Sequence, residues 1–186
     1  MTEPKPPDPN WPRYSTHPFP SYRFIPGQTP HPRRNPLGHS YGQPEPKPPP
    51  FPAAKWHTSE DYLYGIDLYN FAYWWECHEV FEGLWHAVGH NTEQGNFFQA
   101  LIQLTAANLK YFLGNPAAAQ NLFRSGIIRL QNVPSSYMGI DVLRLTKVLH
   151  AHLISPHPHA LLIDLGQIRE KQEVEQPEPN GRILSR

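Results

Sequence analysis

The sequence of 186 residues lacks several features that mark common classes of protein. Its single cysteine, Cys77, cannot form an intramolecular disulfide, so nothing indicates an oxidising compartment. Sixteen Lys and Arg residues balance 16 Asp and Glu residues, and without a basic excess we expect no nucleic-acid partner. There is no run of about 18 apolar residues and no secretory signal at the start. We therefore expect a cytoplasmic protein that does not associate with membranes.

Proline is concentrated near the N-terminus, with 17 of the 23 prolines in residues 1–52. Because proline fixes φ and lacks a backbone N–H, this region cannot form helices or central strands. Residues 1–55 carry seven basic and three acidic side chains, whereas residues 56–154 carry five and eight. We predict an extended Pro-rich arm over residues 1–55 packed on an acidic domain. Its aromatic residues predict that 21–42 is ordered on that domain, and a solvated linker is the alternative.

The rest of the chain has the 3.6-residue periodicity of helices, with no alternating strand pattern. Cap and stop signals separate five helices, at about residues 59–70, 71–88, 92–113, 116–131 and 138–154. We predict an all-α fold, a compact antiparallel bundle of about five helices over residues 56–168, followed by a tail over 169–186. The apolar run 160–165 is either another helical turn or a docked extended segment.

The second predicted helix carries an uncommon mixture of acidic, imidazole and indole side chains. Its periodicity assigns a core stripe to Trp74, Cys77, Phe81, Leu84 and Val88. Three carboxylates and two imidazoles lie outside that stripe, among tryptophans: Glu76, His78, Glu79, Glu82 and His86. His78 and Glu82 are four residues apart and therefore adjacent on the helix surface. Gln103 of the third helix is expected to hydrogen-bond this acidic face.

The chain resembles the domain-of-unknown-function family 309 in the segments DLYNFAYWWECHEVFEGLWHAVG and FFQALIQLTAANLKYFLGNPAAAQNLF. Family members look like N-x-G-x-Y-x-E-A-H-E-x-W-E-x-x-W followed by an apolar G-L-I-Q-x-A-A-A segment. The residues in register are Asn70, Tyr73 or Trp74, Glu76, His78, Glu79, Glu82, Trp85 and Gln103. Cys77, Phe81 and Phe71 depart from the pattern. The resemblance covers about residues 60–132 and implies a compact helical bundle, but no activity.

Our principal hypothesis is a non-catalytic protein that binds a ligand or partner. The acidic, imidazole and indole side chains of the second helix would then form largely a structural hydrogen-bond network. The predicted site comprises Glu76, His78, Glu79, Glu82, Trp85 and Gln103. In this reading the cationic groups Arg33, Arg34 and His39 of the arm reach the carboxylates as ion-pairing partners. No cofactor is expected. The sequence does not identify the partner, and a homo-oligomer stays open.

Two alternatives use the same helix for chemistry. In an acid/base or metal-assisted hydrolase, Glu79 or Glu82 is the general base and His78 moves the proton. In a divalent-metal site, His78 and Glu82 are ligands and His31 or His39 of the arm completes the set. The second His of an H-E-x-x-H zinc motif is missing, which weakens the metal alternative.

Overall fold

A computed structural model describes residues 3–154 and 161–166 of the chain. Within those residues the fold is an all-α bundle, as predicted. Its helices are α1 (Glu60–Asn70), α2 (Trp74–Val88), α3 (Glu93–Phe112), α4 (Pro116–Leu130) and α5 (Val142–Ile154), with a 3-10 helix (Ala53–Thr58) before α1. The central helix α3 packs against both α2 and α4. The predicted tail over 169–186 lies outside the described residues.

Local side-chain caps fix three of the helix starts close to their predicted positions. Ser59, Thr92 and Asn115 each accept the backbone N–H three residues further on, at 3.3, 2.8 and 3.1 Å. Gly89 follows α2 with a φ of 89°, a backbone conformation that favours glycine. The predicted bounds of α1, α3 and α4 are thereby confirmed to within one residue at each end.

The start of α2 differs from the prediction by three residues, because a turn separates it from α1. Ala72 has a φ of 62°, in the left-handed region, and interrupts the helical path. The N–H of Tyr73 donates to the carbonyl oxygen of Leu68 at 2.8 Å, which closes the turn. The helix can therefore begin only at Trp74.

A small antiparallel hairpin precedes α5, so the prediction that this helix starts near residue 138 was wrong and the helix begins at Val142. β1 (Ser136–Tyr137) pairs with β2 (Ile140–Asp141) around a turn in which Met138 and Gly139 have φ values of 47° and 81°. Strands of two residues are too short to produce an alternating pattern. A Cβ on Gly139 would lie 2.6 Å from Cη2 of Trp56, so this turn packs closely on the 3-10 helix.

Aromatic rings from three helices form the centre of the core. Tyr62 of α1 lies between 6.1 and 6.5 Å, by ring centroids, from Phe81, Phe97 and Phe98. A side chain on Gly65 would overlap the ring of Phe81, so glycine permits the close approach of α1 and α2. No helix in the described part of the chain combines the length and hydropathy needed to cross a membrane.

Residues 161–165 form a docked extended segment, the second of the two alternatives that the sequence left open. Asn70 at the end of α1 exchanges two hydrogen bonds of 2.8 Å with the backbone of Ile163. The N–H of Leu165 donates to the hydroxyl of Tyr14 at 3.1 Å. This segment therefore contacts both α1 and the N-terminal arm.

Candidate functional site

The side chains of α2 divide between core and surface largely as the periodicity predicts. Four of the five predicted core residues are buried: Trp74, Cys77, Phe81 and Leu84. Val88 is half-buried. The Cys77 thiol donates to the carbonyl oxygen of Gly65 at 3.2 Å, and burial raises the pKa of this thiol. The cysteine is a packed core group, unsuited to nucleophilic chemistry.

Glu76, in the first turn of α2, holds the arm through the arm's backbone. The residue is only 5% exposed. Its Oε1 accepts the N–H of Phe24 at 2.7 Å and lies 3.2 Å from Nε2 of His39. Hydrogen bonds to an ionised carboxylate are stronger than those between neutral groups. One buried oxygen thus fixes two separate positions of the arm.

Trp75 and Glu79 of α2 also contact the arm, through ring packing and charge. Phe24 and His31 pack edge-on against the Trp75 indole, with ring centroids 5.0 and 5.4 Å away. Nε of Arg33 lies 3.7 Å from Oε2 of Glu79. Arg33 and His39 therefore both reach carboxylates of α2, as the ion-pair hypothesis expects. Arg34 forms no ion pair within the described residues.

The proline-rich stretch that follows continues along the same helix. Nη1 of Arg33 donates to the carbonyl oxygen of Pro44 at 3.2 Å. A Cβ on Gly83 would lie 3.1 Å from Cδ of Pro48 and 3.6 Å from the carbonyl oxygen of Pro46. Glycine therefore leaves room for the proline chain to lie directly on the helix.

A second buried carboxylate, Asp67 of α1, holds the first part of the arm and was not among the predicted site residues. It is 0% exposed and accepts the N–H groups of Tyr14 and Ser15 at 2.8 and 2.9 Å and Nε of Arg13 at 3.1 Å. Burial raises the pKa of Asp67, and the three donors offset part of that rise. The available signal was an acidic residue between two core residues, in a helix with no basic residue.

His78, Glu79 and Glu82 form a compact group of potential metal ligands on α2. One ligand atom from each lies within 4.8 Å of the others, and all three residues are half-buried. Nδ1 of His78 lies 3.6 Å from Oε1 of Glu79, and the interaction with His78 is the main cause that lowers the pKa of Glu79. Among the described residues, His31 and His39 are not members of this group.

The other two residues of the predicted site, Trp85 and Gln103, take no part in the hydrogen bonds and ion pairs that hold the arm. The Trp85 indole stacks on His90, with ring centroids 3.8 Å apart. Within residues 3–154 and 161–166, the buried Nε1 of Trp85 and Oε1 of Gln103 have no hydrogen-bond partner. The Gln103 amide also donates no hydrogen bond to a described residue, so the expected bond to the acidic face is not formed there.

Glu79 gives the site a pH dependence of defined sign. Because its folded-state pKa is below the ordinary value of 4.5, its stabilisation is present above that pH and is lost as the pH falls through the lowered pKa. Glu79→Gln is expected to reduce the free energy of unfolding at neutral pH by at most about 1 kcal/mol, since the pair is partly exposed. Urea unfolding from neutral to acidic pH measures the difference, which should shrink toward zero. A difference in unfolding free energy that stays constant with pH would contradict a lowered pKa of Glu79 as its cause.

Comparison with family models finds a match in the helical part of the chain. No curated protein matches the sequence. The matching family model spans residues 62–122, which contain most of α1, all of α2 and α3, and the first half of α4. Asp67 and Glu76 lie inside this span, and the arm lies outside it. The matching model is described as domain of unknown function (DUF309), the family that the sequence resembles.

Proposed function

We propose that the protein is a non-catalytic binding module for extended, proline-rich, basic segments, and that its own arm is the resident ligand. The binding surface, here called the α2 surface, consists of Trp75, Glu76, Glu79 and Gly83. The single observation that carries the proposal is the 5%-exposed Glu76 carboxylate, which accepts the Phe24 N–H at 2.7 Å. A buried carboxylate aimed at a main-chain amide recognises an extended backbone rather than a particular side chain.

The remaining contacts suit a peptide of this composition. The Trp75 indole packs against aromatic rings of the peptide, and the Glu79 carboxylate pairs with an arginine. Gly83, which has no side chain, lets prolines lie against the helix. Polyproline segments bind aromatic-lined grooves at low entropic cost, because they are already extended. Residues 1–55 carry four more basic than acidic side chains, and residues 56–154 carry three more acidic than basic ones, so long-range charge supports the same pairing.

The experiment is to cut the arm from the intact, folded protein. A site-specific protease sequence inserted between the exposed residues Pro49 and Pro50 allows cleavage after folding. We expect residues 1–49 to remain bound, co-eluting with the helical fragment in size-exclusion chromatography at micromolar concentration. A labelled synthetic copy of residues 13–49 should then exchange with the bound fragment.

Two variants of the cleavable protein test the α2 surface. Gly83→Leu places a bulky side chain against Pro48 and should speed release of the fragment, whereas Lys110→Leu, on an exposed position of α3, should leave retention unchanged. Immediate release of residues 1–49 from the cleaved protein without either substitution, while circular dichroism shows intact helices, would refute the proposal.

A divalent-cation site is the second candidate function, favoured by the three ligand atoms of His78, Glu79 and Glu82 within 4.8 Å. Imidazole and carboxylate ligands suit zinc, manganese or iron. The acid/base or metal-assisted hydrolase would use the same group, with water activated beside Glu82. The cation would have to compete with the Arg33 guanidinium, which lies 3.7 Å from Glu79.

Metal analysis of protein purified without chelator or tag distinguishes this candidate. Stoichiometric metal, or a melting temperature that rises with one added ion and not in Glu82→Gln, would support the cation site. Absence of both effects would remove the metal candidate and leave the peptide-binding proposal unaffected.

A further inference from the structure

A cavity of about 770 Å³ lies between the 3-10 helix, the hairpin, α5 and residues 161–166. Its lining includes no residue of the α2 surface, so it is a separate feature of the molecule. The volume falls in the range of about 300 to 1,000 Å³ that is typical of sites for small organic molecules. Its walls come from parts of the chain far apart in sequence, which the fold holds together.

The walls of the cavity combine apolar side chains with a nearly equal share of polar surface. The apolar lining side chains include Trp11, Trp56, Leu145, Val148 and Leu161. Trp56 is 7% exposed and lies under the hairpin turn at Gly139, so this wall is rigidly placed. Two indole rings with aliphatic neighbours favour a flat or aromatic molecule.

The charged side chains that line the cavity differ in whether they have partners within the protein. Asp141 accepts the backbone N–H of Arg144 at 2.8 Å, and Asp164 accepts the hydroxyl of Tyr14 at 3.0 Å. The Arg144 guanidinium, by contrast, forms no hydrogen bond or ion pair with any described residue. Arginine presents a planar fork of N–H donors that matches carboxylate and sulfonate oxygens. An anionic group on the ligand therefore has a partner at the rim.

We propose that this cavity binds a small aromatic or apolar anion, with the apolar body between the Trp11 and Trp56 rings and the anionic group on Arg144. The cavity shares no residue with the α2 surface, and because Trp11 belongs to the arm, the cavity is tested on the full chain with the arm in place.

The test uses two fluorescent probes on the full chain. The anion 1-anilinonaphthalene-8-sulfonate and its neutral relative N-phenyl-1-naphthylamine should each bind saturably at one site. Arg144→Gln should weaken the anionic probe about tenfold and leave the neutral probe within about twofold. Val148→Trp fills the cavity from a partly exposed position and should weaken both probes at least about tenfold. Lys147→Gln also removes one positive charge from α5, three residues further on and outside the cavity, and should change the binding of neither probe.

Three results would overturn the proposal. The first is the absence of saturable binding by either probe. The second is an equal loss of the anionic probe in Arg144→Gln and Lys147→Gln, which would indicate general attraction of an anion to the protein. The third is unchanged binding in Val148→Trp, which would place the probes elsewhere. A circular dichroism spectrum of each variant checks that the variant is folded.

Discussion

Asp67→Ala is expected to reduce the free energy of unfolding by about 3 to 5 kcal/mol. The Asp67 carboxylate is 0% exposed and receives three donors, from Tyr14, Ser15 and Arg13. Alanine would leave two backbone N–H groups and a guanidinium without their acceptor, and a cavity where the carboxylate was. The first part of the arm would then separate from α1. Urea unfolding followed by circular dichroism measures the loss, and limited proteolysis of the arm reports its release.

Asp61→Ala is the matched control, because Asp61 is an acidic residue of the same helix that makes no hydrogen bond to the arm within the described residues. Its removal costs only a favourable interaction with the helix dipole, about 0.5 kcal/mol. Equal effects of the two substitutions, or a loss below about 1 kcal/mol for Asp67→Ala, would contradict the role of Asp67 as an anchor.

Glu76→Ala is expected to reduce the free energy of unfolding by about 2 to 4 kcal/mol. The substitution removes the acceptor for the Phe24 N–H and the contact with His39, both in a buried place. Glu76→Gln keeps an acceptor oxygen without the charge, so its effect should be intermediate. In the cleavable protein, Glu76→Ala should also speed release of residues 1–49.

Glu82→Ala is the control for Glu76→Ala, since both remove a glutamate from α2. Within the part of the chain that the structure describes, Glu82 forms no hydrogen bond or ion pair, so its removal should change stability by no more than about 0.5 kcal/mol. A larger loss for Glu82→Ala than for Glu76→Ala would show that the arm is not held at Glu76.

The helices could be predicted because their signals are local. Caps such as Ser59 and Thr92 act on an N–H three residues away, and the apolar stripe of α2 follows from periodicity alone. The start of α2 could not be predicted, since nothing in the composition of residues 71–73 marks Ala72 for a positive φ. The hairpin before α5 was missed because its strands contain only two residues each.

The candidate site could be predicted in part. The periodicity of α2 brought Glu76, His78, Glu79 and Glu82 to attention, but which atoms of the arm meet them depends on the path of the arm in three dimensions. Every residue except proline has a backbone N–H, so the sequence does not show that the N–H of Phe24 is the partner. Asp67 was missed for the same reason, because two of its three partners are main-chain groups more than 50 residues away.

Hydrogen exchange of the arm's backbone amides, measured by NMR on the intact protein, tests the central claim most directly. If the arm is the resident ligand of the helical domain, the amides of Phe24, Tyr14 and Ser15 should exchange at least about 100-fold more slowly than the exposed amide of Lys47. In Glu76→Ala the protection of Phe24 should be lost. Exchange of Phe24 as fast as that of Lys47 in the unmodified protein would contradict the account.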